Sequence, residues 1–305
     1  MKRTMAWLLA GMLFCGCILC AAAEEGPADG AGIPVFIERV PDEILAEEVP
    51  GGGQVERITY PSRDYAGKGG KVNKRALVYL PPDYSKETKC DVLILCHGVD
   101  GTETEWGFTK NNRKGWNLAD HLFADGTIKN LIIVMPNGRS TWNYEDTSYD
   151  SFPAFHYFGQ EIRNDLIPYI DEHYNTYADR EHRAMAGLSL GAYQTVNIGM
   201  CECLDLISAF GVFSAPKITF SAAKIAEELQ KFPEEYGVRC MYAIAGAWDD
   251  AAETTLAAVR PLPEGGRLTE ENCMYQECPG GHNMKLFYVG LYNFLTILGR
   301  NDGIQ

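Results

Sequence analysis

Short apolar runs separated by amphipathic stretches set the rhythm of this chain. Val55–Tyr60 and Arg75–Leu80 alternate apolar and polar residues, the period-two signature of half-buried strands. They predict an opening antiparallel pair, closed by Pro81-Pro82-Asp83-Tyr84. Then the pattern changes. Val92–Cys96, Leu131–Met135, the residues after Arg183, Ser208–Phe213 and Val238–Ala245 are nearly continuous apolar runs, as expected of strands buried on both faces. Met274–Cys278 reads as a last strand. Helical stretches fall between them, near Leu118–Phe123, from Gly159 to Tyr174, after Leu190, over Ala222–Leu229 and from about Met284 to Leu298. This alternation predicts an α/β fold, a mostly parallel central sheet with helices on both faces.

The folded domain is expected over residues 54–305. Residues 24–53, rich in Gly, Pro and acids, read as an N-terminal leader or linker with one short helix near Asp42–Glu48. Residues 1–23 read as a signal peptide: Lys2 and Arg3, then an uncharged apolar run from Met5 to Leu19, then Ala21-Ala22-Ala23 before Glu24. The expected location is therefore secreted, with lipid anchoring through Cys17 as the other option.

The chemistry concentrates at Ala186-Gly187-Leu188-Ser189-Leu190-Gly191. This Gly-x-Ser-x-Gly sits between a strand-like run and a helix-like run, the context of the nucleophile elbow of an α/β-hydrolase fold. The glycines are needed where strand and helix approach too closely for side chains. In that fold the acid follows the serine and the histidine comes last. Only His282, in Pro279-Gly280-Gly281-His282-Asn283, lies downstream of Ser189. Asp249 and Asp250 follow the apolar run Met241–Gly246 and compete as the acid, and the other would cap the helix that begins near Ala251. The oxyanion donors are expected to be the backbone amides of Leu190, after the nucleophile, and Val99, in the loop His97-Gly98-Val99-Asp100-Gly101. His97 would brace that loop and take no part in the chemistry.

Composition narrows the partners. A chain of 305 residues, 46% hydrophobic, with 31 glycines, is ample for one large α/β domain. The formal net charge of -14, with no clustered Lys or Arg, argues against nucleic acid. Cys90, Cys96, Cys201, Cys203, Cys240, Cys273 and Cys278 lie beyond the leader, an odd number, so one thiol at least stays free or bonds another molecule. Cys273 and Cys278 could pair, whereas Cys96 and Cys240 look like buried small hydrophobes. Beyond the leader no Cys-x-x-Cys and no paired histidines with zinc spacing occur, and no metal or cofactor is expected.

These motifs resemble carbohydrate esterase family 1, the feruloyl and acetylxylan esterases related to esterase D. The resemblance rests on His97-Gly98-Val99-Asp100-Gly101 with Trp106, on Val134-Met135-Pro136-Asn137-Gly138-Arg139, and on Asp165-Leu166-Ile167-Pro168-Tyr169-Ile170. It rests most on the Ser189 segment through Gln194 and Asn197-Ile198-Gly199, followed by Phe213-Ser214-Ala215-Pro216. It covers about Val55 to Gly299. It implies Gly246-Ala247-Trp248-Asp249 as the acid motif, favouring Asp249 over Asp250. The family often has Gly-Gly where this chain has Gly191-Ala192, then Tyr193, and a larger side chain there would narrow the acyl pocket. The implied activity is hydrolysis of acyl groups, feruloyl or acetyl, from plant cell-wall carbohydrate or oligosaccharide, with no obligate protein partner. Trp106, Trp142 and Trp248 are candidate substrate-binding residues, because indole faces stack on sugars and aromatic acids. A thioesterase of the S-formylglutathione type or an extracellular acyltransferase would use the same triad. A non-catalytic carbohydrate-binding module on a hydrolase fold is the alternative of another class.

Overall fold

A computed structural model describes residues 36–259 and 267–300. The expected signal peptide and Cys17 lie outside them. Eight strands form one sheet in the order β1-β2-β4-β3-β5-β6-β7-β8: β1 (Gln54–Arg63), β2 (Lys71–Leu80), β3 (Asp91–Cys96), β4 (Leu131–Pro136), β5 (Arg183–Leu188), β6 (Ala209–Phe213), β7 (Cys240–Gly246) and β8 (Cys273–Cys278). β2 pairs antiparallel with β1 and with β4, and every other pairing is parallel. This is the mostly parallel sheet of an α/β-hydrolase fold.

The apolar runs are continuous because both faces of the sheet are covered. Along β3, Val92, Ile94 and Cys96 join a core with Phe158, Ile162 and Leu166 of the helical stretch 158–173. Leu93 and Leu95 point the other way, into a core with Leu118 of helix Lys114–Ala124 and Phe294 of helix Met284–Arg300. Period-two alternation thus feeds two cores from one strand.

Three expectations change. The opening pair is closed by residues 64–70, where Asp64 N–H donates to Gly70 O at 2.8 Å; Pro81-Pro82 instead begins the connection to β3. Residues 36–53, expected to be a linker, pack on the domain. Ile37 N–H donates to Asn293 Oδ1 at 3.1 Å, Phe36 lies 4.9 Å from the Tyr242 ring, Val40 is buried, and helix Asp42–Ala46 sits against helix Lys114–Ala124. Cys273 and Cys278 are both free thiols at opposite ends of β8. At roughly 3.3 Å per residue, a strand holds two such residues far beyond disulfide reach. Burial pushes the Cys201 and Cys273 thiols up to about 12, so they pack as hydrophobes.

Candidate active site

Parallel strands deliver their C-terminal ends to one edge of the sheet, and every candidate group leaves from there. β5 ends at Leu188, and Ser189 turns with φ 52° and ψ −116° into the helical stretch 190–200. This left-handed backbone at a non-glycine residue is costly and holds only because its surroundings fix it. Ser189 N–H donates to Phe213 O at 2.9 Å, and Ser189 O accepts the Ala192 and Tyr193 amides at 2.9 and 3.1 Å. The glycines of the motif are explained by contact. A Cβ on Gly187 would stand 2.5 Å from the Gly191 carbonyl carbon, and one on Gly191 would stand 2.6 Å from Cys96 O.

β7 runs out through Gly246 to Asp249, and β8 through Cys278 to His282. The two loops touch where a Cβ on Gly246 would lie 2.3 Å from Gly280 O, so only glycine allows the approach. His282 Nδ1 lies 3.2 and 3.1 Å from the two Asp249 carboxylate oxygens, and the imidazole edge rests on Phe287 with centroids 5.1 Å apart. The Asp249 side chain is buried, while the His282 ring is partly open to solvent. An ionised acceptor at Nδ1 makes that nitrogen the N–H tautomer and leaves the Nε2 lone pair free. The division of labour expected between the two acids does not hold. Asp249 Oδ1 also accepts the Ala251 N–H at 2.8 Å, so Asp249 both faces the histidine and holds the start of helix Ala252–Val259, and Asp250 is exposed.

The loop after β3 is held peptide by peptide. Gly98 N–H donates to Glu105 Oε2 at 2.7 Å. Gly98 O takes the His97 Nδ1 proton at 2.7 Å and the Gly101 amide at 3.3 Å. Val99 O and Gly101 O are both gripped by the Arg139 guanidinium, the latter at 2.8 Å. A trans peptide points its C=O and N–H to opposite sides. With Gly98 O turned back on His97, the Val99 N–H is turned away from that ring. Gly98 is beside Ser189, since a Cβ there would lie 3.5 Å from Ser189 Cβ. Among the described residues, the Val99 N–H and the Leu190 N–H at the first turn of the elbow helix carry no partner. That is the state required of oxyanion donors.

His97 is a brace. It is buried, its Nε2 accepts the Gly138 N–H at 3.0 Å, and its edge meets Phe155 at 5.6 Å. Burial first, and the nearby Arg139 charge second, lower its basicity to about 3, so the ring is neutral and both nitrogens are engaged. Under the neighbouring loop, Lys74 is buried with Glu161 at 3.0 Å and donates to Asn137 O and Arg139 O. Arg139 Nε meets Ser151 Oγ at 2.9 Å, and Gln194 Nε2 reaches Gly138 O and Phe155 O at 2.9 and 3.0 Å. The turns of Tyr149–Tyr157 are therefore tied to both the loop after β3 and the elbow helix.

The sequence points to Ser189, His282, Asp249, Val99, Leu190 and His97, and the fold brings these residues to one edge. The sequence did not point to Arg139 or Glu105 as supports of the loop. The available signal was a full charge set directly before Trp106 and directly after Gly138. The tryptophans divide. Trp106, expected to bind substrate, is 1% exposed; its Nε1–H donates to Cys96 O at 3.0 Å and its ring packs on Phe213 and Tyr288 at 6.0 and 6.4 Å, so it belongs to the core. Trp142 and Trp248 are 69% and 79% exposed. Trp248 N–H donates to Gly280 O at 2.9 Å, which sets it beside the Asp249–His282 pair.

Comparison with known proteins agrees with this architecture. Residues 71–216 match the family model described as "Putative esterase". The chain is 36% identical over 148 residues to an endo-1,4-beta-xylanase/feruloyl esterase of Xylanibacter ruminicola, covering 47% of this chain and 19% of that protein. It is 31% identical over 180 residues to endo-1,4-beta-xylanase Y of Acetivibrio thermocellus, covering 56% and 15%. The chain thus spans less than a fifth of the length of either relative. Among solved structures, a serine-to-alanine mutant of the feruloyl esterase module from Clostridium thermocellum, complexed with sinapinate, superposes with a TM-score of 0.66 at 24% identity, covering 86% of this chain and 93% of that one. The chain therefore resembles carbohydrate esterase family 1, as its motifs imply.

Proposed function

We propose that the protein is a secreted serine carboxylic-ester hydrolase that releases feruloyl or acetyl groups from plant cell-wall carbohydrate such as xylan. The observation that carries this reading is the Asp249–His282 contact at the same sheet edge as the strained Ser189 elbow. The xylanase and feruloyl esterase relatives supply the substrate class, and the sinapinate held by a structural neighbour points to hydroxycinnamoyl esters.

In this mechanism His282 Nε2 takes the Ser189 proton as Oγ bonds to the ester carbonyl carbon. Asp249 holds the ring in the Nδ1–H tautomer and stabilises the imidazolium. The Val99 and Leu190 amides receive the oxyanion. The carbon–oxygen bond to the sugar breaks, and the imidazolium returns its proton to the departing hydroxyl. Water, deprotonated by the same nitrogen, then cleaves the acyl-enzyme and restores Ser189. The exposed faces of Trp142 and Trp248 are the candidate platforms for the sugar or aromatic ring.

The test is hydrolysis of methyl ferulate, 4-nitrophenyl acetate and acetylated xylo-oligosaccharide by wild type and Ser189→Ala. Ferulate release lost in the variant supports a feruloyl esterase. Acetyl release alone moves the substrate to acetylated glycan. Turnover that persists without Ser189, or no turnover at all, rejects the reading.

A further inference from the structure

We propose that Glu105 is a positioning residue of the oxyanion site, whose carboxylate fixes the first of the consecutive peptides that aim the Val99 N–H. The inference deepens the esterase reading and rests on Ser189 being the nucleophile.

Glu105 Oε2 accepts the Gly98 N–H at 2.7 Å and fills the inside of the Gly98–Gly101 turn. A Cβ on Gly101 would stand 2.1 Å from that oxygen, and one on Gly98 3.6 Å from it. The arrangement is costly for folding alone, because a largely buried carboxylate loses hydration. Burial indeed raises its affinity for a proton, opposed by the Gly98 N–H and by the Arg139 charge, with Asp100 adding to the rise. An apolar side chain would fill the same turn without that cost. What only an acceptor supplies is the bond to the Gly98 amide.

The loop is thus clamped by complementary groups. Glu105 takes the amide at its start, His97 donates to Gly98 O at its centre, and Arg139 donates to Val99 O and Gly101 O at its end. Glu105 fixes the 97–98 peptide plane, His97 the 98–99 plane, and Arg139 the 99–100 plane together with that of Gly101 O. The Val99 N–H belongs to the middle plane, so it cannot rotate without breaking bonds on both sides. Arg139 also balances the carboxylate, so little net negative charge faces a developing oxyanion. Donors aimed in advance act on the transition state more than on the bound ester, so loss of their aim lowers kcat and leaves KM nearly unchanged.

The experiment is steady-state hydrolysis of 4-nitrophenyl acetate by the full chain carrying Glu105→Ala, Glu105→Gln or Glu105→Asp, with Ser189→Ala as control and a thermal melt of each variant. Removing an oxyanion donor outright costs about 10²–10³ in kcat, and misaiming one is expected to cost roughly ten- to a hundredfold. Glu105→Ala should show that loss with KM within about threefold, because the donor acts on the transition state. Glu105→Gln keeps an acceptor of the same reach and should recover most of the rate. Glu105→Asp keeps the charge but withdraws it from Gly98 and should lose rate as Ala does. That order separates position from charge, and the Gln and Asp pair carries the test if the Ala variant does not fold. A folded Glu105→Ala with wild-type kcat, or Asp retaining the rate while Gln loses it, overturns the proposal alone. Wild type without serine-dependent turnover overturns the esterase reading and this inference with it.

Discussion

Asp249 shares one carboxylate oxygen, Oδ1, between two donors, the His282 ring at 3.2 Å and the Ala251 N–H at 2.8 Å. The backbone bond locks the carboxylate against the histidine, and Asp250 points to solvent. Asp249→Asn should keep the fold yet lower kcat by about 10⁴, the scale seen when an amide imposes the wrong imidazole tautomer. Asp250→Asn should stay within about twofold, as expected of a surface substitution away from the site. Side-by-side kcat measurement checks this, and a larger loss from Asp250→Asn would move the triad acid.

The elbow glycines carry a separate expectation. A Cβ on Gly191 meets the Cys96 and His97 carbonyls, which belong to the strand end and to the oxyanion loop. Neither is the free end of a flexible side chain, so relief requires moving backbone. Gly191→Ala should cost about 1–3 kcal/mol, the range for overpacking a tight interior. It should also cut kcat, because the displaced atoms adjoin Gly98. Denaturant unfolding together with activity checks both arms. Unchanged stability would mean that the elbow is looser than these contacts imply.

The doubly covered strands were legible because a strand buried on both faces writes a local apolar run, as in Val92–Cys96. The elbow was legible because its two glycines and its serine occupy five consecutive residues. His282 was legible by order alone. What escaped depends on partners distant in sequence. Arg139 reaches Val99 across 40 residues, and Ile37 reaches Asn293 across 256, so neither the loop clamp nor the packing of residues 36–53 leaves a local pattern. Trp106 reads like any exposed indole until Phe213 and Tyr288 close over it. The choice between Asp249 and Asp250 was framed as one acid for each task, and the backbone gives both tasks to Asp249.

His97 makes a pH expectation with a definite sign. Its folded-state basicity is lowered to about 3, whereas a free histidine titrates near 6.5. Above the free value neither state is protonated, and the contribution of the neutral ring to stability is complete. As pH falls below about 6.5, the unfolded chain binds a proton that the folded chain excludes, and stability drops by roughly 1.4 kcal/mol per pH unit down to about pH 3. Denaturant unfolding of wild type and His97→Gln at pH 7 and pH 5 isolates this slope. The variant should start less stable and lose about 2 kcal/mol less over that interval. Equal slopes would mean that His97 is protonated in place.

The two kinds of tryptophan should respond oppositely to truncation. Trp106 sits between Cys96 O, Phe213 and Tyr288 with its indole N–H satisfied, so Trp106→Ala opens a cavity and leaves a buried carbonyl without its donor. The expected cost is about 3–5 kcal/mol, the range for large-to-small changes of an aromatic core residue. Activity of whatever remains folded should fall little in KM. Trp248 is 79% exposed and anchored through its backbone to Gly280, so Trp248→Ala should leave the melting temperature within about a degree. If its face carries sugar or aromatic rings, KM for feruloylated or acetylated oligosaccharide should rise severalfold, while KM for 4-nitrophenyl acetate, which is too short to reach it, stays constant. Base-to-indole stacking elsewhere is worth about 1–3 kcal/mol per ring, which sets the upper end of that rise. A KM that rises equally for both substrates would place Trp248 in support of the His282 loop, since its amide holds Gly280, and would leave the sugar platform to Trp142.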